Sequence, residues 1–267
     1  MKLVVLADNN TYIDQYYLAE PALSIYIENC EKKYLFDIGY SDVYLKNAER
    51  LGIELESLDA VIISHGHNDH TGGLAFYPKR QNKPLLIAHP GIMEPKRAEG
   101  LCISLPVTEA YLQDRFVFKL TRSPLWLDEQ LVFLGEIHRA NDFENKKPVG
   151  EHCLADGWHD DYVLDDSALV YKQKDGIYII TGCSHSGICN IAEYAKQVTG
   201  CNVIKSIIGG FHLFSGRSQQ TLATVDYLQS NVEGTMYPCH CTNLAAKFAL
   251  HKQLPVQEVG VGLTLEW

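Results

Sequence analysis

No run in this chain comes near the roughly 18 consecutive apolar residues that a membrane-spanning helix needs. Nor is there a strong excess of positive charge. Lys and Arg number 23 against 33 Asp and Glu, a formal net charge of −10. The cluster "YPKRQNK" around position 80 is short and isolated. A nucleic-acid binder carries a basic stripe, so no nucleic-acid partner is expected. The eight cysteines stand at 30, 102, 153, 183, 189, 201, 239 and 241, without a single CxxC pair. A secreted disulfide scaffold is smaller and denser in Cys, so these read mainly as buried free thiols. No GxxxxGK[ST] phosphate-cradling loop is present, nor any internal repeat or low-complexity tract. The opening "MKLVVLADNNTYID" has too short an apolar run for a signal peptide and breaks at once into Asp8-Asn9-Asn10. It reads as a first strand, and the expected location is the cytoplasm.

What is present is a mixture of strand and helix patterns. With 267 residues, 46% of them hydrophobic, the chain can bury a full core, and it is expected to form one domain over 1–267. Strand patterns recur in "KLVVLA", "LSIYIE", "KYLFDIG", "DAVIIS", "PLLIAH", "QLVFLGE", "SALVYKQ", "GIYIITG" and "NVIKSIIGG". Asp175-Gly176 sits between two of them as a hairpin turn. Helical spacing puts Tyr44, Leu45, Ala48 and Leu51 on one face, with Ser41 as N-cap and Gly52 as stop. Ile188, Ile191, Ala192, Ala195 and Val198 repeat the pattern. "SQQTLATVDYLQSN" and "NLAAKFALHKQL" also read as helices. The stretch from about 90 to 165 is the least regular and reads as long, acidic loop, a place where function often resides.

The densest chemistry lies in "DAVIISHGHNDHTGG". A buried strand ends at His65, and His67, Asp69 and His70 follow within six residues. Imidazole and carboxylate suit zinc, iron or manganese. His65 and His67 can fold toward one point, Asp69 and His70 toward a second. Gly72-Gly73 are expected to let the backbone turn tightly.

"SHGHNDHTGG" matches the HxHxDH signature of the metallo-β-lactamase-fold superfamily. "YLFDIG", "IITGCSH", "IIGGFHL" and "YPCHCTN" resemble the other stations of that family. With "LADNN" they resemble its branch of metal-dependent hydrolases labelled as related to dihydropteroate synthase or to a ribofuranosyl-aminobenzene phosphate synthase. The resemblance implies an α/β fold, a four-layer αββα sandwich, with the site at one edge. It implies that Asp37 supports the metal loop, and that His185 and His240 join His65, His67, Asp69 and His70 around one or two ions. Zinc is expected, with iron or manganese as alternatives. Cys183 stands where the family's bridging carboxylate would be. A soft thiolate then replaces a hard ligand, or the thiol stays protonated and the second ion binds weakly. Cys239 and Cys241 flank His240 and read as packing residues on alternating strand faces.

The implied chemistry is hydrolysis of an ester, lactone, thioester, amide or phosphoester of a small molecule. Asp69 orients the attacking water, and His212 serves as proton donor or oxyanion contact. Asn9, Asn10, Arg139 and Phe143 are candidate substrate contacts. The alternatives are a pterin-pathway phosphoribosyl transferase or synthase, a redox di-iron protein, and a non-enzymatic metal-binding regulator. The sequence leaves the oligomeric state open. His89, His138, His152, His159 and His251 read as structural or surface residues.

Overall fold

The computed structural model describes residues 1–267. The chain forms three β-sheets and six α-helices, numbered here along the chain. It divides into two compact units, each assembled from separate segments. The first comprises Met1–Thr121, Val149–Asp161 and Val259–Trp267; the second comprises Arg122–Pro148 and Tyr162–Glu258.

In the first unit, seven strands run in the order β17 (Thr264–Glu266), β1 (Lys2–Ala7), β2 (Ser24–Asn29), β3 (Lys32–Phe36), β4 (Ala60–Ile62), β5 (Leu85–Ala88) and β8 (Val117–Leu120). From β3 to β8 the pairing is parallel. The interior strand β4 is buried along its whole length, as expected of a parallel strand covered on both faces. Helix α1 (Val43–Arg50) joins β3 to β4 and lays Tyr44 and Ala48 into a core with Leu35, Val61 and Leu86. Its cap is Asp42 rather than Ser41, although the Ser41 hydroxyl does accept from Val43 N at 3.3 Å. Gly52 ends the segment at φ +67°. Helices α2 (Asn68–Thr71) and α3 (Glu109–Arg115) complete this part.

The region from 90 to 165 is not a long loop. It supplies α3, β8 and a four-stranded sheet, β12 (Gly157–Asp161), β11 (Gly150–Leu154), β6 (Lys96–Ala98) and β7 (Leu101–Cys102). The β11–β12 pair closes at Leu154↔Gly157. These strands are polar and partly exposed along both edges, so they lack the apolar alternation that betrays a strand in sequence.

In the second unit the order is β16 (Met236–Cys239), β15 (Ile204–Gly210), β14 (Ile177–Thr181), β13 (Ala168–Lys172), β10 (Leu131–Phe133) and β9 (Leu125–Trp126). The hairpin expected at Asp175-Gly176 joins β13 to β14. β14, β15 and β16 are parallel neighbours. Helix α4 (Ile188–Thr199) connects the first two and α5 (Gln219–Asn231) the next; α6 (Leu244–His251) follows β16. Ser218 and Asn243 cap α5 and α6 by accepting from Thr221 N and Ala246 N. This satisfies backbone donors that a helix start leaves over. Ile188, Ile191, Ala192 and Ala195 enter the core with Ile179, Ile207 and Leu228.

Candidate metal centre

Parallel sheets gather functional side chains at the carboxyl ends of their strands, and both units do so. In the first, Asp37 follows β3 and the segment Ser64–His70 follows β4. The His65 ring lies 4.5 Å from that of His67 and 4.3 Å from that of His70, centroid to centroid. His65 and His70 are fully buried and His67 nearly so, while Asp69 is partly exposed.

Asp37 organises this cluster. One carboxylate oxygen accepts from Ser64 N at 2.7 Å; the other accepts from the Ser64 hydroxyl at 2.8 Å and faces His70 Nδ1 at 2.6 Å. The ionised carboxylate only accepts, so Nδ1 carries the proton and His70 Nε2 keeps its lone pair. That nitrogen faces the Asp69 carboxylate at 3.6 Å. The Ser64 hydroxyl has given its one proton to Asp37. It therefore accepts from His65 Nδ1 at 2.9 Å, and His65 Nε2 becomes the lone-pair nitrogen. Two imidazoles are thus fixed in the tautomer that ligates a metal through Nε2, each oriented by a neighbour, as is usual around metal sites.

Glycines allow the segment to pack so closely. Gly72 and Gly73 are needed for approach rather than for the tight turn expected of them. Gly72 has an ordinary helical φ of −57°. A Cβ there would meet Tyr40 O at 2.2 Å, and one at Gly73 would meet Ile38 O at 2.0 Å. Between His65 and His67, a Cβ on Gly66 would lie 2.8 Å from Ile92 O and 3.1 Å from the stem of Lys96. The Lys96 ammonium is itself buried and paired with Asp161 at 3.0 Å.

In the second unit, Cys183 and His185 follow β14, Phe211 and His212 follow β15, and His240 and Cys241 follow β16. Cys183, His185 and His212 offer ligand atoms all within 4.8 Å of one another, and the His185 and His212 rings stand 4.3 Å apart. Ser184, His212 and His240 take left-handed φ values of 56°, 49° and 45°, as Asp37 does at 54° in the first unit. For non-glycine residues this costs on the order of 1–3 kcal/mol each, and such strain collects at functional sites.

The turn carrying His185 is heavily anchored. Ser186 N and Oγ both donate to Asp166, Asn145 Nδ2 donates to His185 O at 2.7 Å, and Glu144 accepts from Cys189 N and Asn190 N at 3.0 and 2.9 Å. Asp166 is wholly buried; burial pushes its carboxyl up to about 6, against the opposing pull of the Ser186 hydrogen bonds and of Arg139. Burial also raises Glu144. No motif announces these residues. Asp166 and Glu144 sit in the stretch that reads as acidic loop, and only the fold sets them under α4.

Several expected roles change. Cys241 is not a strand residue packed into the core, because β16 ends at Cys239. It turns toward the site, its thiol donating to Cys183 O at 3.5 Å. Burial acts to raise the Cys241 thiol, but hydrogen bonds with Cys183 and His212 and the nearby His240 outweigh it, leaving the thiol well below its usual range. Cys239 does pack in the core. Of the eight thiols only Cys183, Cys189 and Cys239 are buried, while Cys30 and Cys102 are exposed. Cys30 occupies the tight turn between β2 and β3 at φ 48°.

Three of the candidate substrate contacts, Asn10, Arg139 and Phe143, also make contacts within the fold. Asn10 Nδ2 donates to Val259 O at 3.1 Å, and Asn10 N donates to Asp8. Asn9 is exposed beside it. Arg139 holds Tyr162 O and Val163 O, both at 2.9 Å. Phe143 packs against the second unit's core. His89 caps a short 3-10 turn by accepting from Gly91 N. His152 and His159 pair with Glu94 and Asp156. No helix is long and apolar enough to cross a membrane.

The donor chemistry fits a metal: imidazoles with set tautomers, a carboxylate facing one of them, and thiols close to others. The profile of the metallo-beta-lactamase superfamily matches residues 18–240. An uncharacterised protein of Methanocaldococcus jannaschii is 33% identical over 245 residues, 91% of each chain. A second protein of that organism, named 7,8-dihydropterin-6-methyl-4-(beta-D-ribofuranosyl)-aminobenzene-5'-phosphate synthase, is 31% identical over 264 residues, 92% of this chain and 89% of its own. A crystal structure described as a metal-dependent hydrolase of the beta-lactamase superfamily superposes with a TM-score of 0.87 at 27% identity, covering 100% of this chain and 99% of its own. The three sheets and six helices are therefore those of a known α/β fold, and the chain belongs to the metallo-beta-lactamase superfamily.

Proposed function

We propose that this chain is a metal-dependent hydrolase acting on an ester, lactone, thioester or phosphoester of a small molecule, with both units working as one catalytic domain. The observation that carries this reading is the Asp37–His70–Asp69 arrangement. A buried carboxylate fixes one imidazole nitrogen at 2.6 Å, and the other faces a second carboxylate at 3.6 Å. That geometry presents a nitrogen and an oxygen donor to one ion.

On the family signature we assign His65, His67 and His185 to one ion, and Asp69, His70 and His240 with Cys183 to the other. Zinc suits both, with iron or manganese as alternatives; the thiol favours the softer ions at the second. A bound divalent ion supplies a water acidified toward a pKa of about 7 and an electrophile for the substrate's oxygen. The chain's own groups do the rest. Asp69 orients the attacking water through its outer oxygen. His212, whose ring lies 4.3 Å from that of His185, gives a proton to the leaving group in this reading. The anchors Asp166, Asn145 and Glu144 hold His185 in position while charge develops.

The name of the 31% identical relative favours a second reading, group transfer by a synthase built on the same donors. The two are separated by purifying the chain without added metal, determining bound metal by elemental analysis, and assaying a panel of lactones, thioesters, carboxylic esters and phosphodiesters with and without chelator. Hydrolysis should be lost with chelator and return with metal. Asp69→Asn should keep the fold and lose about 10²–10⁴-fold in rate. Turnover that ignores chelator, or is unchanged in Asp69→Asn, sinks the hydrolase reading.

A further inference from the structure

Beyond His212 the chain presents an aromatic ring that the core does not use. The His212 ring lies 4.3 Å from that of His185 and 4.6 Å from that of Phe214, centroid to centroid, the latter pair with planes 79° apart. Phe214 is nevertheless 61% exposed. Burying such a ring stabilises a protein by about 1.5–3 kcal/mol, and this segment forgoes that gain. Its backbone is held firmly. Asn243 Nδ2 donates to Phe214 O, and Asn243 N donates to Leu213 O at 3.0 Å. Gly216 lies so close to α6 that a Cβ would meet Ala245 O at 2.5 Å. Leu213 is buried in the core directly before it. The ring is therefore displayed by a fixed scaffold, roughly perpendicular to the His212 ring and mostly exposed. Leu244 and Phe248, one turn apart on α6, are also largely exposed.

We propose that Phe214 is a specificity-determining residue: its exposed ring is a platform for a planar aromatic or heteroaromatic part of the substrate, whose reacting group lies toward His212 and His185. The inference rests on the metal-hydrolase reading for where the reaction occurs. Its chemistry is direct. Aromatic pairs gain by offset or edge-to-face contact beyond the area they bury, and an aliphatic substrate of equal charge would forgo that gain.

The test uses the zinc-loaded full chain and two phosphonate probes, phenylphosphonate and ethylphosphonate, measured by calorimetry. Wild type should bind the phenyl compound on the order of ten-fold more tightly, equivalent to about 1.4 kcal/mol. Phe214→Ala and Phe214→Leu should lose that preference, and Phe214→Trp should keep it. Equal affinity for the two probes in wild type, including no binding of either, overturns the inference. So does a phenyl preference that survives in Phe214→Ala. Sedimentation of the same proteins supplies one further outcome: a wild-type dimer that becomes monomeric in Phe214→Ala would assign the ring to a subunit interface and overturn the platform. Phosphonate binding with the expected pattern but no hydrolysis of any ester would sink the hydrolase reading alone. Hydrolysis without phenyl preference would sink only the platform.

Discussion

Replacing Asp166 by Asn tests the electrostatics beneath the His185 turn. Asp166 is completely buried, and its carboxylate accepts from Ser186 N at 2.8 Å and from the Ser186 hydroxyl. Burial raises its pKa from 3.8 to about 6. A carboxyl raised in the folded state holds its proton longer there than in the unfolded chain. Its contribution to stability is thus fully present below about pH 4 and is lost as pH rises through about 6. At about 1.4 kcal/mol per pH unit, the rise from 3.8 to about 6 amounts to about 3 kcal/mol. Full burial leaves little solvent screening to reduce it. Asn cannot ionise, yet its carbonyl can still accept from Ser186 N. Urea unfolding of chelated wild type and Asp166→Asn from pH 4 to 7.5 gives the difference directly, because other titrating groups cancel. The variant should gain on wild type by about 2.4 kcal/mol across that range, with most of the change between pH 4 and 6.5. A difference that stays flat with pH, or moves the other way, refutes the reasoning.

Two further outcomes follow from the first unit. Asp37→Asn removes the charge that faces His70 Nδ1, and metal affinity measured by competition with a chromophoric chelator should fall by about 10–100-fold; unchanged affinity would show that Asp37 does not orient the ligand. Gly73→Ala places a methyl group 2.0 Å from Ile38 O, whereas Gly52→Ala meets nothing within 4 Å and bears only its positive φ. Urea titration should show a loss of about 3 kcal/mol for the first and about 1 kcal/mol for the second; equal losses would mean that close approach does not explain Gly73.

The sequence by itself determined the family and the histidine–aspartate cluster of the candidate site. His65, His67, Asp69 and His70 lie within six residues, so a local pattern suffices to find them, and the apolar strand before them says where the loop emerges. Strong periodicity likewise marked α1, α4 and α5 and the strands of the parallel sheets, because buried faces leave a repeat in the letters. The polar sheet formed by β6, β7, β11 and β12 left no such repeat, which is why 90–165 read as loop. Only the tertiary structure decided which nitrogen of His65 and His70 carries the proton and which keeps a lone pair, since that depends on Asp37 reaching across 27 and 33 residues. It also decided that Gly72 and Gly73 serve packing rather than turning. It turned Cys241 from a packing residue into a neighbour of Cys183 and His212, because the strand stops one residue before His240. Glu144, Asn145 and Asp166 gained their roles in the same way. Hydrogen bonds between residues about 20 to 46 positions apart arise from the path of the folded chain, and no local pattern of residue types records that path.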